Sequence, residues 1–397
     1  MRLSERLAVA TAALSFFIST LDTGVVNVAL PRLTHVLHVN AATAAWTISA
    51  YALALSLTIL PFGALADRLG VVRISAIGFV LFALFSIGCA LAPSIAWLIV
   101  FRALTGVAAA MLQATAASFV SRYVEPSRRG SAFGWVSAVL SLGVALGPSV
   151  GGVIVSFASW RWIFLAVVPF GVAGFLTNWY LRHAELNAKG EQKAEPVTRG
   201  LVRIIPFTGA SALGLIFIAV FVGSAFELTR EAHLAAWQVG LVLLAWPVAS
   251  TIAARFAGTL VQRGLGLATM LAGLAACGAL ACALLFTPAP QVALFTLLLF
   301  LFGFGTGTLQ TPVIALSLAA FPASAQSRAG ALQRFVQNLA IAGGAALSGV
   351  LIDRVGTWSI WVFTIGVCVV AIVTILALSY ATRAATKVPR RPASQTR

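Results

Sequence analysis

Apolar residues run along this chain in long, nearly unbroken stretches. They neither alternate nor recur at the spacing of a single helix face. Twelve such stretches stand at about 8–30, 45–65, 72–92, 96–119, 131–154, 160–181, 206–227, 236–257, 267–287, 291–319, 330–352 and 358–380. Each approaches the roughly 20 apolar residues that a helix needs to cross a bilayer. Backbone amides must be paired in hydrocarbon, so spanning segments are helices or closed barrels. The lack of alternation excludes a barrel. The pattern therefore predicts an all-α integral membrane protein with twelve transmembrane helices. The first stretch carries Asp22 and is followed by no convincing small-residue cleavage site before the next. It reads as a retained helix rather than a signal peptide.

Composition agrees. Of 397 residues, 60% are hydrophobic and 9% are charged, against about 25% charged in soluble proteins. The net charge of +16 would suit a nucleic-acid binder if it were clustered, but here it is distributed. With the N-terminus inside, 21 of the 26 Lys and Arg residues fall on the cytoplasmic side. Arg32, Arg161, Arg230 and Arg354 fall outside, and Arg102 lies within a span. Such a bias fixes orientation: both termini are expected in the cytoplasm of a multi-pass cell-membrane protein, plasma or bacterial inner. No nucleic-acid partner is expected. Trp46, Trp97, Trp160, Trp162, Trp237, Trp358 and Trp361 stand near the expected outer ends, as an interfacial aromatic belt would.

One long polar loop, from Arg182 to Arg203, divides the chain. The expected parts are two six-helix halves, 1–182 and 205–382, a cytoplasmic linker over 183–204 and a basic tail over 383–397. The halves repeat weakly. Gly63-Ala-Leu-Ala-Asp67-Arg68 after the second span matches Gly258-Thr-Leu-Val-Gln262-Arg263 after the eighth, 195 residues on. Gly147 to Gly152 matches Gly344 to Gly349, 197 residues on. Two pseudo-symmetric halves are a transporter plan, with the cargo bound between them near midplane.

Four segments carry candidate chemistry. In Gly63-Ala-Leu-Ala-Asp67-Arg68-Leu-Gly70-Val-Val-Arg73, glycine permits a tight turn. Asp67 there can pair with Arg68, Arg73 or the start of another helix. Arg102-Ala-Leu-Thr-Gly106 places a cation inside a span, which is costly unless it is paired or faces a wet cavity. Arg102 stands five residues from Trp97, about 8 Å of helical rise, near enough for partial snorkelling. Gly143-Val-Ala-Leu-Gly147-Pro148-Ser-Val-Gly151-Gly152 puts glycines four apart on one face, where helices can approach closely; Pro148 can kink the helix. Leu21-Asp22-Thr23-Gly24-Val-Val-Asn27-Val-Ala-Leu30-Pro31 places Asp22 well inside the first span. Of ten acidic residues, it is the one deep in a helix; Glu227 stands at an outer end. Burial disfavours an ionised carboxylate unless a cation offsets it.

Together these segments resemble the major facilitator superfamily across nearly the whole chain, and within it the drug–proton antiporters. The fourth segment resembles a first-helix signature of the fourteen-helix branch, although this chain has twelve spans. The resemblance implies the major facilitator fold, without enzymatic activity. It makes Gly63, Asp67, Arg68, Gly70 and Arg73 an inner gate and Asp22 and Arg102 the proton-coupling pair. It makes Gly143, Gly147, Pro148, Gly151 and Gly152 the exporter packing motif between the halves. The proton is then the coupling ion, and no other cofactor is expected.

Asn27, Gln113, Asn338, Trp246 and Tyr51 are expected to line a substrate cavity, with Asn178, Gln310 and Gln337 as further polar candidates. Cys89, Cys277, Cys282 and Cys368 lie in apolar runs, and His35, His38 and His233 near outer loops; neither set has metal-site spacing. The function expected is proton-coupled export of small lipophilic or cationic compounds by a monomer in the lipid bilayer. The alternative is export or import of a specific metabolite, such as a sugar or amino-acid derivative. A membrane-embedded enzyme is remote, because the chain has no paired carboxylates, metal cluster or phosphate loop. A reporter fused after Arg397 tests the topology. A fluorescent protein should fold and glow there, and alkaline phosphatase should stay inactive; the reverse would place the terminus outside.

Overall fold

A computed structural model describes residues 3–125, 128–184, 204–287, 291–321 and 326–387. Most of the expected linker and the tail beyond Lys387 lie outside the described residues. The first half consists of α1 (Leu3–Val36), α2 (Ala41–Leu69), α3 (Val71–Leu91), α4 (Ile95–Tyr123), α5 (Arg129–Phe157), α6 (Trp162–Leu165) and α7 (Val168–Ala184). The second consists of α8 (Ile204–Arg230), α9 (Ala236–Gln262), α10 (Gly266–Leu285), α11 (Val292–Ala319), α12 (Gln326–Arg354) and α13 (Ser359–Lys387). Among the described residues, eleven helical segments are long and apolar enough to cross a membrane. Within α5, Leu142–Phe157 adds a shorter apolar segment. The expected sixth span is divided: α6 is a single turn, separated from α7 by Ala166 and Val167. Most helices also extend past the apolar runs into polar sequence, because a helix end in water still gains from its backbone bonds.

Packing repeats the sequence repeat. In the first half α1 packs on α5, α2 on α4, and α3 on α4 and α7. In the second, α8 packs on α12, α9 on α11, and α10 on α11 and α13. The backbone repeats too. His38 and His233, 195 residues apart, both adopt left-handed φ values, 50° and 53°, which are uncommon outside glycine. Gly70 and Gly264 both turn the chain at positive φ, 95° and 81°. The halves meet along α2 against α12, α5 against α9, and α1 against α8.

At the end away from the termini, the halves are joined by hydrogen bonds. Asp353 on α12 accepts from the backbone N–H of Ala41 (2.9 Å) and Ala42 (2.6 Å) at the start of α2, where the helix dipole favours an anion. Ser156 Oγ accepts from Trp237 N–H (2.9 Å), and Ser149 Oγ donates to Gly240 O (3.2 Å). Of the expected aromatic belt, Trp46, Trp97, Trp162, Trp237 and Trp358 are exposed, but Trp160 and Trp361 are buried. Trp361 Nε1 donates to Glu227 Oε2 at 2.9 Å, so a polar partner holds it inside.

The glycine stripe corrects one expectation. Gly143, Gly147 and Gly151 face α1 within their own half and do not lie between the halves. A Cβ on Gly147 would lie 2.7 Å from the Cα of Gly24, and one on Gly151 2.7 Å from the Cα of Val25. Gly152 alone of the stripe faces the other half, at Ala236 and Trp237. From the second half, Gly240 packs back on Pro148 and Ser149. Gly147→Val should therefore force α1 from α5, costing about 1–3 kcal/mol or more. A fall in thermal midpoint of the detergent-purified protein would register it. An unchanged midpoint would mean the contact tolerates bulk.

Candidate functional site

A cavity of about 200 Å³ lies between the halves, walled by α1, α2, α4 and α5 on one side and α8, α9, α11 and α12 on the other. All five expected cavity residues line it: Asn27, Tyr51, Gln113, Trp246 and Asn338. Gln310 and Gln337 line it as well. Asn178 does not: it is fully buried in α7, its amide donating to Gly174 O at 2.8 Å.

Both walls carry hydroxyls and amides: Ser19, Thr20, Thr23, Asn27 and Gln113 on the first, and Ser250, Thr251, Gln310, Gln333, Gln337 and Asn338 on the second. The second also holds an aromatic cluster. On the second, Trp246 makes ring contacts with Phe217 (5.3 Å), Phe221 (4.6 Å) and Phe302 (5.6 Å). Its Nε1 donates to Thr306 Oγ1 at 2.7 Å, which fixes the indole against rotation. Pro247 follows it and also lines the cavity, so the backbone there lacks a donor.

Asp22 and Arg102 lie behind the first wall. Arg102 Nη1 donates to Asp22 Oδ2 at 2.6 Å, and both side chains are 0% exposed. Arg102 Nε donates to Thr47 O at 3.0 Å. Its guanidinium lies 4.4 Å from the Tyr51 ring centroid and 6.0 Å from that of Phe164. The expected snorkelling of Arg102 does not occur, because a carboxylate, a carbonyl and two rings hold it inside. Asp22 Oδ1 and Arg102 Nη2 have no hydrogen-bond partner. A buried polar atom without a partner is costly, so the pair is incompletely satisfied. Tyr51 separates it from the cavity: one part of the ring carries Arg102 and the side chain lines the cavity. Asp22 itself is not on the wall, and no carboxylate stands among the described lining residues.

The loop between α2 and α3 also differs in detail. Asp67 pairs with neither Arg68 nor Arg73; it accepts from Arg122 Nη2 on α4 at 2.9 Å. Both side chains are exposed, at 69% and 40%, where ion pairs contribute little. Gly63 has open space around it. Gly70 supplies the turn, and Arg73 stands in the first turn of α3.

Arg334, assigned by sequence to the cytoplasmic side, lines the cavity. Its guanidinium lies 4.4 Å from the ring centroid of Phe16 on α1, across the interface. A signal was present: Gln333, Arg334, Gln337 and Asn338 recur at helical spacing, which gathers them on one face.

Two repeated helical halves around a shared polar and aromatic cavity define a membrane transporter. The model of the Major Facilitator Superfamily matches residues 12–341 and 204–396. The chain belongs to that superfamily, a class of transporters and not of enzymes. It is 37% identical over 166 residues to the uncharacterized MFS-type transporter Rv1250 of Mycobacterium tuberculosis, covering 42% of this chain and 29% of that one. It is 35% identical over 169 residues to MdtD of Pectobacterium atrosepticum, described as a candidate multidrug resistance protein, covering 43% and 36%. It is 33% identical over 156 residues to the riboflavin transporter RibZ of Clostridioides difficile, covering 39% and 34%. The chain thus spans about a third of the length of these relatives. A bacterial homologue of the human lysosomal transporter Spinster, inward-facing and occupied, shares the fold with a TM-score of 0.74 at 15% identity, covering 99% of this chain and all of that one.

Removing one partner of a buried ion pair leaves an uncompensated charge, at a cost of about 3–5 kcal/mol. Arg102→Ala should lower the thermal midpoint and impair turnover. Adding Asp22→Asn should recover part of the lost stability. A midpoint unchanged in Arg102→Ala, or no recovery in the double variant, would show that the two groups are not coupled.

Proposed function

We propose that this chain is a proton-coupled exporter of small lipophilic organic compounds, working by alternating access in the cell membrane. The units 1–182 and 205–382 rock about the cavity, with both termini in the cytoplasm. The observation that carries the reading is the buried Asp22–Arg102 pair behind Tyr51.

A buried ion pair surrounded by low dielectric is sensitive to anything that alters either charge. Protonating Asp22 removes its negative charge, so the ion pair with Arg102 becomes a weaker hydrogen bond from the guanidinium to a neutral carboxyl. The guanidinium keeps its bond to Thr47 O and the rings of Tyr51 and Phe164. Tyr51 is shared by the pair and the cavity, so cargo pressing on the ring and a proton on the carboxyl act on the same few atoms. That is the coupling an antiporter requires: each ligand shifts the equilibrium only through its differential affinity for the two states.

Supporting the direction of transport, the Gly147-Pro148 segment resembles the exporter motif, and Gly152 and Pro148 sit where α5 meets α9. Supporting a small organic cargo are the size of the cavity, its aromatic cluster and the multidrug and riboflavin roles given for MdtD and RibZ. The amides of Asn27, Gln113, Gln310, Gln337 and Asn338 on the cavity favour, as a second reading, a specific hydrogen-bonding metabolite over a broad range of drugs.

The test is Asp22→Asn in proteoliposomes under an imposed pH gradient. Gradient-driven transport should fall to background, while exchange of cargo without a gradient persists, because the amide keeps the shape but cannot release a proton. Full gradient-driven transport by the variant would remove Asp22 from coupling.

A further inference from the structure

Arg334 is the charged residue of the cavity wall, and none of the other described lining residues from the eight surrounding helices is charged. They are hydroxyls, amides, rings and aliphatic groups. Among the described lining residues, no carboxylate stands beside the positive charge of Arg334. Its neighbour is the Phe16 ring at 4.4 Å, and a cation–π contact compensates only part of a half-buried charge. A guanidinium carries five N–H donors in a planar fork that matches a carboxylate with two parallel bonds. The same cavity is lined by Phe217, Phe221 and Trp246, whose ring centroids lie 4.6–5.3 Å from one another.

We infer that the cargo class is planar organic anions, aromatic carboxylates in particular, with the anionic group on Arg334 and the ring against the aromatic cluster. The inference deepens the transporter reading and rests on this cavity being the cargo site. The chemistry excludes the opposite class on the same grounds. An organic cation would enter a space that already carries an uncompensated positive charge, and no carboxylate on the described wall would receive it. A neutral analogue would gain the aromatic contacts and lose the charge-assisted bond, which is about twice as strong as a neutral one.

Binding to the purified full chain in detergent tests this without any gradient. The probes are 2-naphthoate, 2-naphthylmethanol and 2-naphthylmethylammonium, which share a ring and differ in charge, titrated calorimetrically at neutral pH. Naphthoate should bind most tightly and the ammonium most weakly. Arg334→Gln should weaken naphthoate on the order of tenfold to a hundredfold and leave naphthylmethanol unchanged, and Arg334→Lys should restore part of the loss. Equal binding of the three, preference for the ammonium, or binding of none by the wild-type chain overturns the inference. So does naphthoate affinity unchanged in Arg334→Gln. If that variant does not fold, the wild-type order of the three probes decides. Because no proton gradient is applied, anion selectivity together with full gradient-driven transport by Asp22→Asn would refute the coupling scheme and leave the cargo class standing.

Discussion

The structure depends on how closely helix backbones can approach one another in a medium that offers no hydrophobic drive to bring them together. Lipid is as apolar as the side chains, so close packing and a few polar contacts carry association. Glycine sets those approaches. Gly24 meets Gly147, Gly106 meets the carbonyl of Tyr51, Gly303 meets the carbonyl of Trp246, and Gly240 meets the carbonyl of Pro148. Two of these contacts, Gly106 on Tyr51 and Gly303 on Trp246, are the same contact in the two halves. They press α4 onto α2 and α11 onto α9, and so fix how far Tyr51 and Trp246 stand from the centre.

Given that shared frame, the halves have diverged in what they place on it. Position 51 carries a phenol and position 246 an indole, both on the cavity. Behind Tyr51 lies the ion pair of Asp22 and Arg102. Around Trp246 lie Phe217, Phe221 and Phe302. At the 195-residue offset, Phe217 stands where Asp22 stands in the first half. The first half thus holds a buried ion pair behind its ring, where the second holds an aromatic cluster. The duplicated backbone supplies the symmetry, and the side chains divide the labour.

The cavity also explains why the ion pair belongs behind the wall. A carboxylate exposed to a wet cavity would be solvated and weakly coupled to its partner. Shielded by Tyr51, Asp22 and Arg102 interact at low dielectric, where a single proton has a large effect. The opposite end of the assembly is held by a different device, Asp353 capping α2 across the interface. That contact uses backbone N–H groups any sequence would supply, so nothing at residues 41 and 42 announces it.

The amino-acid sequence by itself determined the helical class and the internal repeat, and it marked the residues with cavity chemistry. Hydrocarbon leaves no alternative to helices for such runs, and a polar side chain within one must face a partner or a cavity. Asn27, Tyr51, Gln113, Trp246 and Asn338 were legible for that reason. Only the tertiary structure decided which neighbour each polar or small residue met. The glycine stripe of α5 could face any helix, and it faces α1. Asp67 could pair within its loop, and it pairs with Arg122. Arg334 could lie in the cytoplasm, and it lies on the cavity. Helical periodicity defines a face, but the partner of that face comes from a distant part of the chain. Asp22, the aspartate inside the first span, was visible from the start. The fold added that its charge is matched by Arg102 and screened from the cavity by one aromatic ring.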